Sequence, residues 1–98
     1  MVIVVKKHIA NRQLVLAMCD KSLLNKKFEE NGLQLDLSSG FYDGHEADEK
    51  EILSLMQSSN MINMVGKESV ALAIKSGIVG KSHIIMIKGI PHAQFIRL

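Results

Sequence analysis

The sequence predicts an α+β fold: two layers, a mostly antiparallel sheet with helices on one face. Three observations carry that expectation. The chain opens on two apolar runs separated by a turn and closes on two more, so a hairpin is expected at each end. Between them, Asp48 and Gly66 begin segments whose apolar residues recur at helical spacing. Finally, 98 residues with 47% hydrophobic and 22% charged side chains suit a single domain over 1–98 rather than a disordered tail.

The elements follow in order. Val2–Ile9 is the first strand, with Val2, Ile3, Val4 and Val5 consecutive, and β-branched residues suit a pleated surface. Ala10-Asn11-Arg12 is a turn and Gln13–Cys19 the second strand. Asp20 then caps an expected helix by accepting from free backbone N–H groups. That helix carries Leu23, Leu24 and Phe28 on one face and stops at Asn31-Gly32, with glycine left-handed. Leu33–Leu37 alternates, so its three leucines are expected to face one core. Ser38–Ala47 is a loop carrying Phe41, Tyr42 and Gly44. Asp48 to Glu51 forms a capping box with Asp in place of Ser or Thr, ahead of a buried stripe of Ile52, Leu53, Leu55 and Met56. Met61–Val65 is a short apolar link, strand or coil. Gly66 opens a helix that buries Val70, Ala73 and Ile74 and stops at Gly77. Ile84–Ile87 is a strand, Lys88–Pro91 a turn and His92–Leu98 the last strand. The expected order is β-β-α-β-α-(β)-α-β-β. The methionines Met56, Met61, Met64 and Met86 sit in apolar stretches and read as core filling.

Several function classes are excluded or disfavoured. The longest apolar run, Leu14–Cys19, has six residues, against about twenty for a membrane span. The run after Lys6-Lys7-His8 is too short for a signal peptide, so a cytoplasmic protein without a membrane partner is expected. One cysteine excludes an intramolecular disulfide and a cysteine-only zinc site. His8, His45, His83 and His92 show neither helical i, i+4 nor His-x-His spacing, so no metal and no cofactor is expected. Asp43, His45 and Glu46 read as a solvated acidic loop.

The net charge of +2 is a cancellation. Asp43–Glu51 holds five acids and one lysine, whereas Ser69–Leu98 has no acid and carries Lys75, Lys81, Lys88 and Arg97. Such a basic stretch is either a footprint for phosphate or a solvated lysine surface.

Four places carry candidate chemistry. In a strand beginning at Pro91, His92 and Gln94 share a face; they contact a ligand, act on a proton or satisfy backbone groups of a turn. Arg97 offers a bidentate fork for phosphate. Asn63, Gly66 and Lys67 stand at a helix start where N–H groups attract anions, although Met61 and Glu68 break a P-loop pattern. Cys19 at an expected helix start is a reactive thiol or, as the bland alternative, a buried structural one, since Asp20 opposes a thiolate.

Cys19-Asp20-x-x-Leu23-Leu24, Phe41-Tyr42-x-Gly44, Asn63-x-Val65-Gly66 with Val70-x-x-Ala73, and Gly89-Ile90-Pro91-His92-Ala93-Gln94-x-Ile96-Arg97-Leu98 span nearly the whole chain. Together they resemble an archaeal family, domain of unknown function 424. The resemblance implies a small cytoplasmic α+β protein with no established activity and suggests a link to translation. Its motif positions here are Cys19, Asp20, Tyr42, Gly44, Asn63, Gly66, Pro91, His92, Gln94 and Arg97.

The leading expectation is a binding module for RNA or a ribonucleoprotein partner, with His92, Gln94, Arg97, Asn63, Gly66, Lys67 and Lys88 as its residues. Neither a sequence-specific DNA motif nor an RRM-type aromatic set is present. A small hydrolase with His92 as general base, supported by Asn63 or the Gly66 N–H, is the alternative. An adaptor docking through the acidic helix from Asp48 is a third. Binding is favoured because no nucleophile–base pair stands out. An exposed terminal strand leaves monomer and homodimer both open.

Overall fold

Eight strands and two helices form in the computed structural model, which describes residues 2–98. They are β1 (Ile3–Ala10), β2 (Gln13–Asp20), β3 (Lys27–Glu30), β4 (Leu33–Asp36), β5 (His45–Ala47), α1 (Glu49–Ser58), β6 (Met61–Val65), α2 (Lys67–Lys75), β7 (Ile85–Ile87) and β8 (Ile90–Ile96). Six strands make one sheet in the order β5-β1-β2-β6-β8-β7, and β3–β4 stands apart as a hairpin. Only β2 and β6 run parallel, so the sheet is mostly antiparallel and the fold is α+β. No described helix is long and apolar enough to cross a membrane.

Both helices pack on one face. Ile52 and Met56 of α1 and Val70, Leu72 and Ala73 of α2 are buried with Ile3, Val5, Leu16, Met18, Ile62, Met64 and Ala93 of the sheet. The helix starts obey their expected signals. The Asp48 carboxylate accepts from the Glu51 N–H at 2.8 Å. Glu51 does not complete the capping box; its carboxylate instead accepts from His45 Nε2 at 2.7 Å.

The expected helix after Asp20 does not form. Lys21–Leu23 is a single 3-10 turn, and the chain then enters the β3–β4 hairpin. Asn31 and Gly32 have φ of 51° and 82°, so they form a two-residue type I′ turn rather than a helix stop. Asn-Gly between apolar runs is the strongest local hairpin signal, and here it outweighs three leucine and phenylalanine positions at loose helical spacing. Leu35 and Leu37 are buried as expected, but Leu33 is 48% exposed at the turn. The Ser38–Ala47 segment is not all loop: Gly40–Tyr42 is a 3-10 turn and β5 adds an edge strand. Met86 is 52% exposed rather than core, because it belongs to the edge strand β7.

The last strand starts before His92 and takes in Pro91. That residue pairs across from Gly66, whose N–H donates to the Pro91 carbonyl at 2.9 Å. The Gly66 carbonyl accepts from Val70 N at 3.0 Å and so starts the α2 ladder. Proline's missing donor therefore falls where the sheet no longer needs it.

The turn between β1 and β2 holds Asn11 and Arg12 at φ of 52° and 62°. Both positions of a type I′ turn are left-handed, which suits asparagine and strains arginine. Arg12→Gly is expected to raise stability by about 0.5 kcal/mol, the relief of strain less the extra chain entropy of glycine. Urea unfolding of the two proteins checks it.

Candidate binding face

The strand register lays out the sheet face opposite the helices as three rows. The first joins His8, Val15, Met61 and Ile96; the second Lys6, Ala17, Asn63 and Gln94; the third Val4, Cys19, Val65, His92 and Ile85. Most of the third row is roofed. Leu35, Leu37 and Tyr42 close over Ala17, Cys19, Val65 and Ile87, with Leu23, Leu24, Phe28 and Phe41 alongside. The other two rows open toward the β8 end: Ala17 is under the roof, Lys6, His8, Val15, Met61 and Asn63 are half-buried, Gln94 is exposed, and Ile96 is 52% exposed.

One side of the open area is walled by the Gly40–Tyr42 turn. Lys6 Nζ donates to the Gly40 carbonyl at 3.0 Å, and His8 Nε2 donates to the Phe41 carbonyl at 2.9 Å. The His8 and Phe41 rings stack with centroids 4.5 Å apart and planes 6° from parallel. At the centre, Gln94 Nε2 donates to Asn63 Oδ1 at 3.1 Å. This fixes both amides and leaves Asn63 Nδ2 as donor and Gln94 Oε1 as acceptor. His92 lies diagonally from Asn63 on this face. Its ring is half-buried, and among the described residues it has no hydrogen-bond partner.

Burial disfavours the imidazolium and lowers the His92 pKa from its usual value. Its unfolded value is the higher one, so its contribution to stability is present above about pH 6.5 and is lost as pH falls through the folded value. The melting temperature of the native protein is expected to fall more from pH 7 to pH 5 than that of His92→Gln. Equal falls would assign no such role to His92.

The anion site expected at Gly66 and Lys67 is already filled from within. Asp20 reaches across the sheet and caps α2: its carboxylate accepts from Glu68 N at 3.0 Å, Ser69 N at 2.8 Å and Ser69 Oγ at 2.8 Å. Gly66, at φ 109°, lies directly against that carboxylate, where a Cβ would overlap it. So Asp20 is a helix cap, as its chemistry suggested, but for a helix far along the chain. It makes no side-chain cap to the turn that follows it. The Gly66 N–H, held by Pro91, is not available as an oxyanion donor.

Arg97 does not join His92 and Gln94. Its guanidinium donates to the carbonyls of Ser59 at 3.2 Å, Met56 at 3.5 Å and Gln57 at 3.4 Å, and lies 5.1 Å from the Phe95 ring centroid. It thus closes the C-terminal end of α1 in the helix layer, where a cation also suits the helix dipole. Lys67 and Lys88 are exposed and outside the open rows; the Lys88 N–H donates to Glu30 at 3.0 Å. Cys19 is fully buried, and burial followed by the Asp20 charge pushes its pKa up to about 12. That environment makes it a structural thiol. Tyr42 is likewise pushed up to about 12, by burial and then by Cys19. Gly44 lies against the β1 backbone.

Lys6, His8 and Phe41 were not among the sequence candidates. The signal for the first two was the alternation in Val2–Ile9, which sends Val4, Lys6 and His8 to one face. The Phe41 stack needs two segments that only the fold brings together.

A crystal structure of an uncharacterized conserved protein from Methanopyrus kandleri has a similar fold, with a TM-score of 0.81 at 24% identity, over 100% of this chain and 95% of that one. No curated protein matches the chain. Residues 8–98, which include the open rows apart from Lys6, the Asp20–Gly66 junction and the Gly89–Leu98 ending, match the family described as protein of unknown function (DUF424), and the chain belongs to that family.

Proposed function

We propose that the chain is a binding module for RNA, alone or within a ribonucleoprotein, and that the open sheet face is its contact surface. The supporting observation is the fixed Asn63–Gln94 amide pair, which leaves one donor and one acceptor at the open end of the two rows. A carboxamide donor beside an acceptor suits the edge of an unpaired base. The stacked His8–Phe41 pair and the half-buried His92 ring offer flat surfaces for bases. Phosphate attraction at this face comes from Lys6, whose ammonium stands at its wall. Arg97 is left out of this reading because its fork is held by α1.

The test is fluorescence anisotropy with a labelled single-stranded RNA decamer across a salt series. Affinity is expected to fall as salt rises, and Asn63→Ala with Gln94→Ala together to weaken it about tenfold. A double variant that binds as the native protein does, or an affinity indifferent to salt, overturns the reading.

A further inference from the structure

We propose that the free edge of β8 takes an extended peptide segment as an added strand, with one apolar side chain seated in the adjoining groove and acidic residues around it. The edge comes from a mismatch in strand lengths. β7 pairs with β8 only over Ile90–His92 and then ends. The pairing of β8 with β6 runs on through Ile96, and Arg97 N still donates to the Asn60 carbonyl at 2.8 Å. Antiparallel bonding alternates along a strand, and the bonds at Pro91 and Arg97 fix its phase. Ala93 and Phe95 therefore turn their backbone groups to β6, while Gln94 and Ile96 turn theirs outward. Among the described residues these outward groups have no backbone partner.

Beside this edge lies a groove of about 400 Å³, lined by Ile78, Val79, His83, Gln94, Phe95 and Ile96, among others. Its lining is polar and apolar in about equal parts, and Ile78, Val79, Phe95 and Ile96 offer the apolar part to an aliphatic side chain of an incoming strand, the usual division between backbone affinity and side-chain specificity. No acid lines it, His83 does, and Lys81 stands between the lining residues Gly80 and His83 in the acid-free stretch Ser69–Leu98. That favours an acidic segment over a second copy of this chain, whose own Lys81 and His83 would meet these across a two-fold axis. The edge adjoins the proposed RNA face: Gln94 and Ile96 stand in its rows and also line the groove, while their backbone groups face the edge.

The experiment uses a fluorescein-labelled nonapeptide, Glu-Asp-Val-Thr-Ile-Val-Val-Asp-Glu, and a control with lysine at its four acidic positions. The acidic peptide is expected to bind at least tenfold more tightly. In the native protein its addition should shift the Gln94 and Ile96 amide resonances. Ile96→Pro removes an outward N–H without touching the β6 ladder and should cost at least tenfold in affinity, whereas Ile96→Thr, which keeps the N–H, should cost less. If Ile96→Pro fails to fold, the amide shifts in the native protein decide the matter. Equal binding of the two peptides, Gln94 and Ile96 amide resonances that stay unmoved, or a sedimenting dimer that the peptide does not dissociate overturns the proposal. RNA binding that persists with the peptide bound separates this result from the fate of the RNA reading.

Discussion

Asp20→Ala is expected to lower stability by about 3 kcal/mol, the largest effect of any single polar truncation in the chain. The carboxylate is nearly buried and accepts three hydrogen bonds at the start of α2. Its removal strands two backbone N–H groups and the Ser69 hydroxyl, and takes a negative charge from a helix N-terminus. Gly66→Ala should therefore be damaging for the same reason from the other side: the new Cβ overlaps the carboxylate, and φ of 109° is hostile to any side chain. The two changes share one junction, so their costs should fall well short of adding. Urea titration of both single variants and the double variant measures this. A loss under about 1 kcal/mol for Asp20→Ala would mean that water caps the helix equally well.

Gly44→Ala is expected to cost about 2 kcal/mol and to free β5 from the sheet. A Cβ there would overlap the Val5 carbonyl oxygen and crowd Lys6 Cβ at 2.9 Å. The obstacle is backbone in the middle of β1, which has no rotamer to yield. The φ of Gly44 is not the constraint; the space is. The chain would lift away, and β5 has only three residues paired to β1 to hold it. Because Gly44 follows the Gly40–Tyr42 turn, the His8–Phe41 stack should loosen with it. Hydrogen exchange at the β5 amides and a drop in melting temperature report the two effects together. Unchanged β5 protection would contradict this account.

Much of the architecture was legible because it is local. The β1–β2 hairpin followed from β-branched runs around Asn11, and α1 from Asp48 and the Ile52–Met56 stripe. The helix expected after Asp20 failed at a point where two local signals competed. Leu23, Leu24 and Phe28 suggested one face of a helix, while Asn31-Gly32 demanded a tight turn between strands. Those side chains do bury, but as the roof over Cys19 and Val65.

The candidate site divided in the same way. His92 and Gln94 share a face because strand period alone requires it, and Asn63 joins them through the β6–β8 register. The sequence offers Arg97 to phosphate because its bidentate fork lies in an acid-free stretch. The carbonyls of Met56, Gln57 and Ser59 that occupy it belong to a helix some 40 positions earlier.

By itself, the sequence determined the fold class, the strands at both ends and the two helix starts, since period, caps and turns act over a few residues. Family membership was legible for the same reason, in short blocks of fixed spacing. The tertiary structure alone decided what Asp20 caps, why Gly66 and Gly44 must lack a side chain, and which rows of the sheet stay uncovered. Each of those depends on which strands become neighbours, and neighbours are chosen by packing of the whole core rather than by any local window.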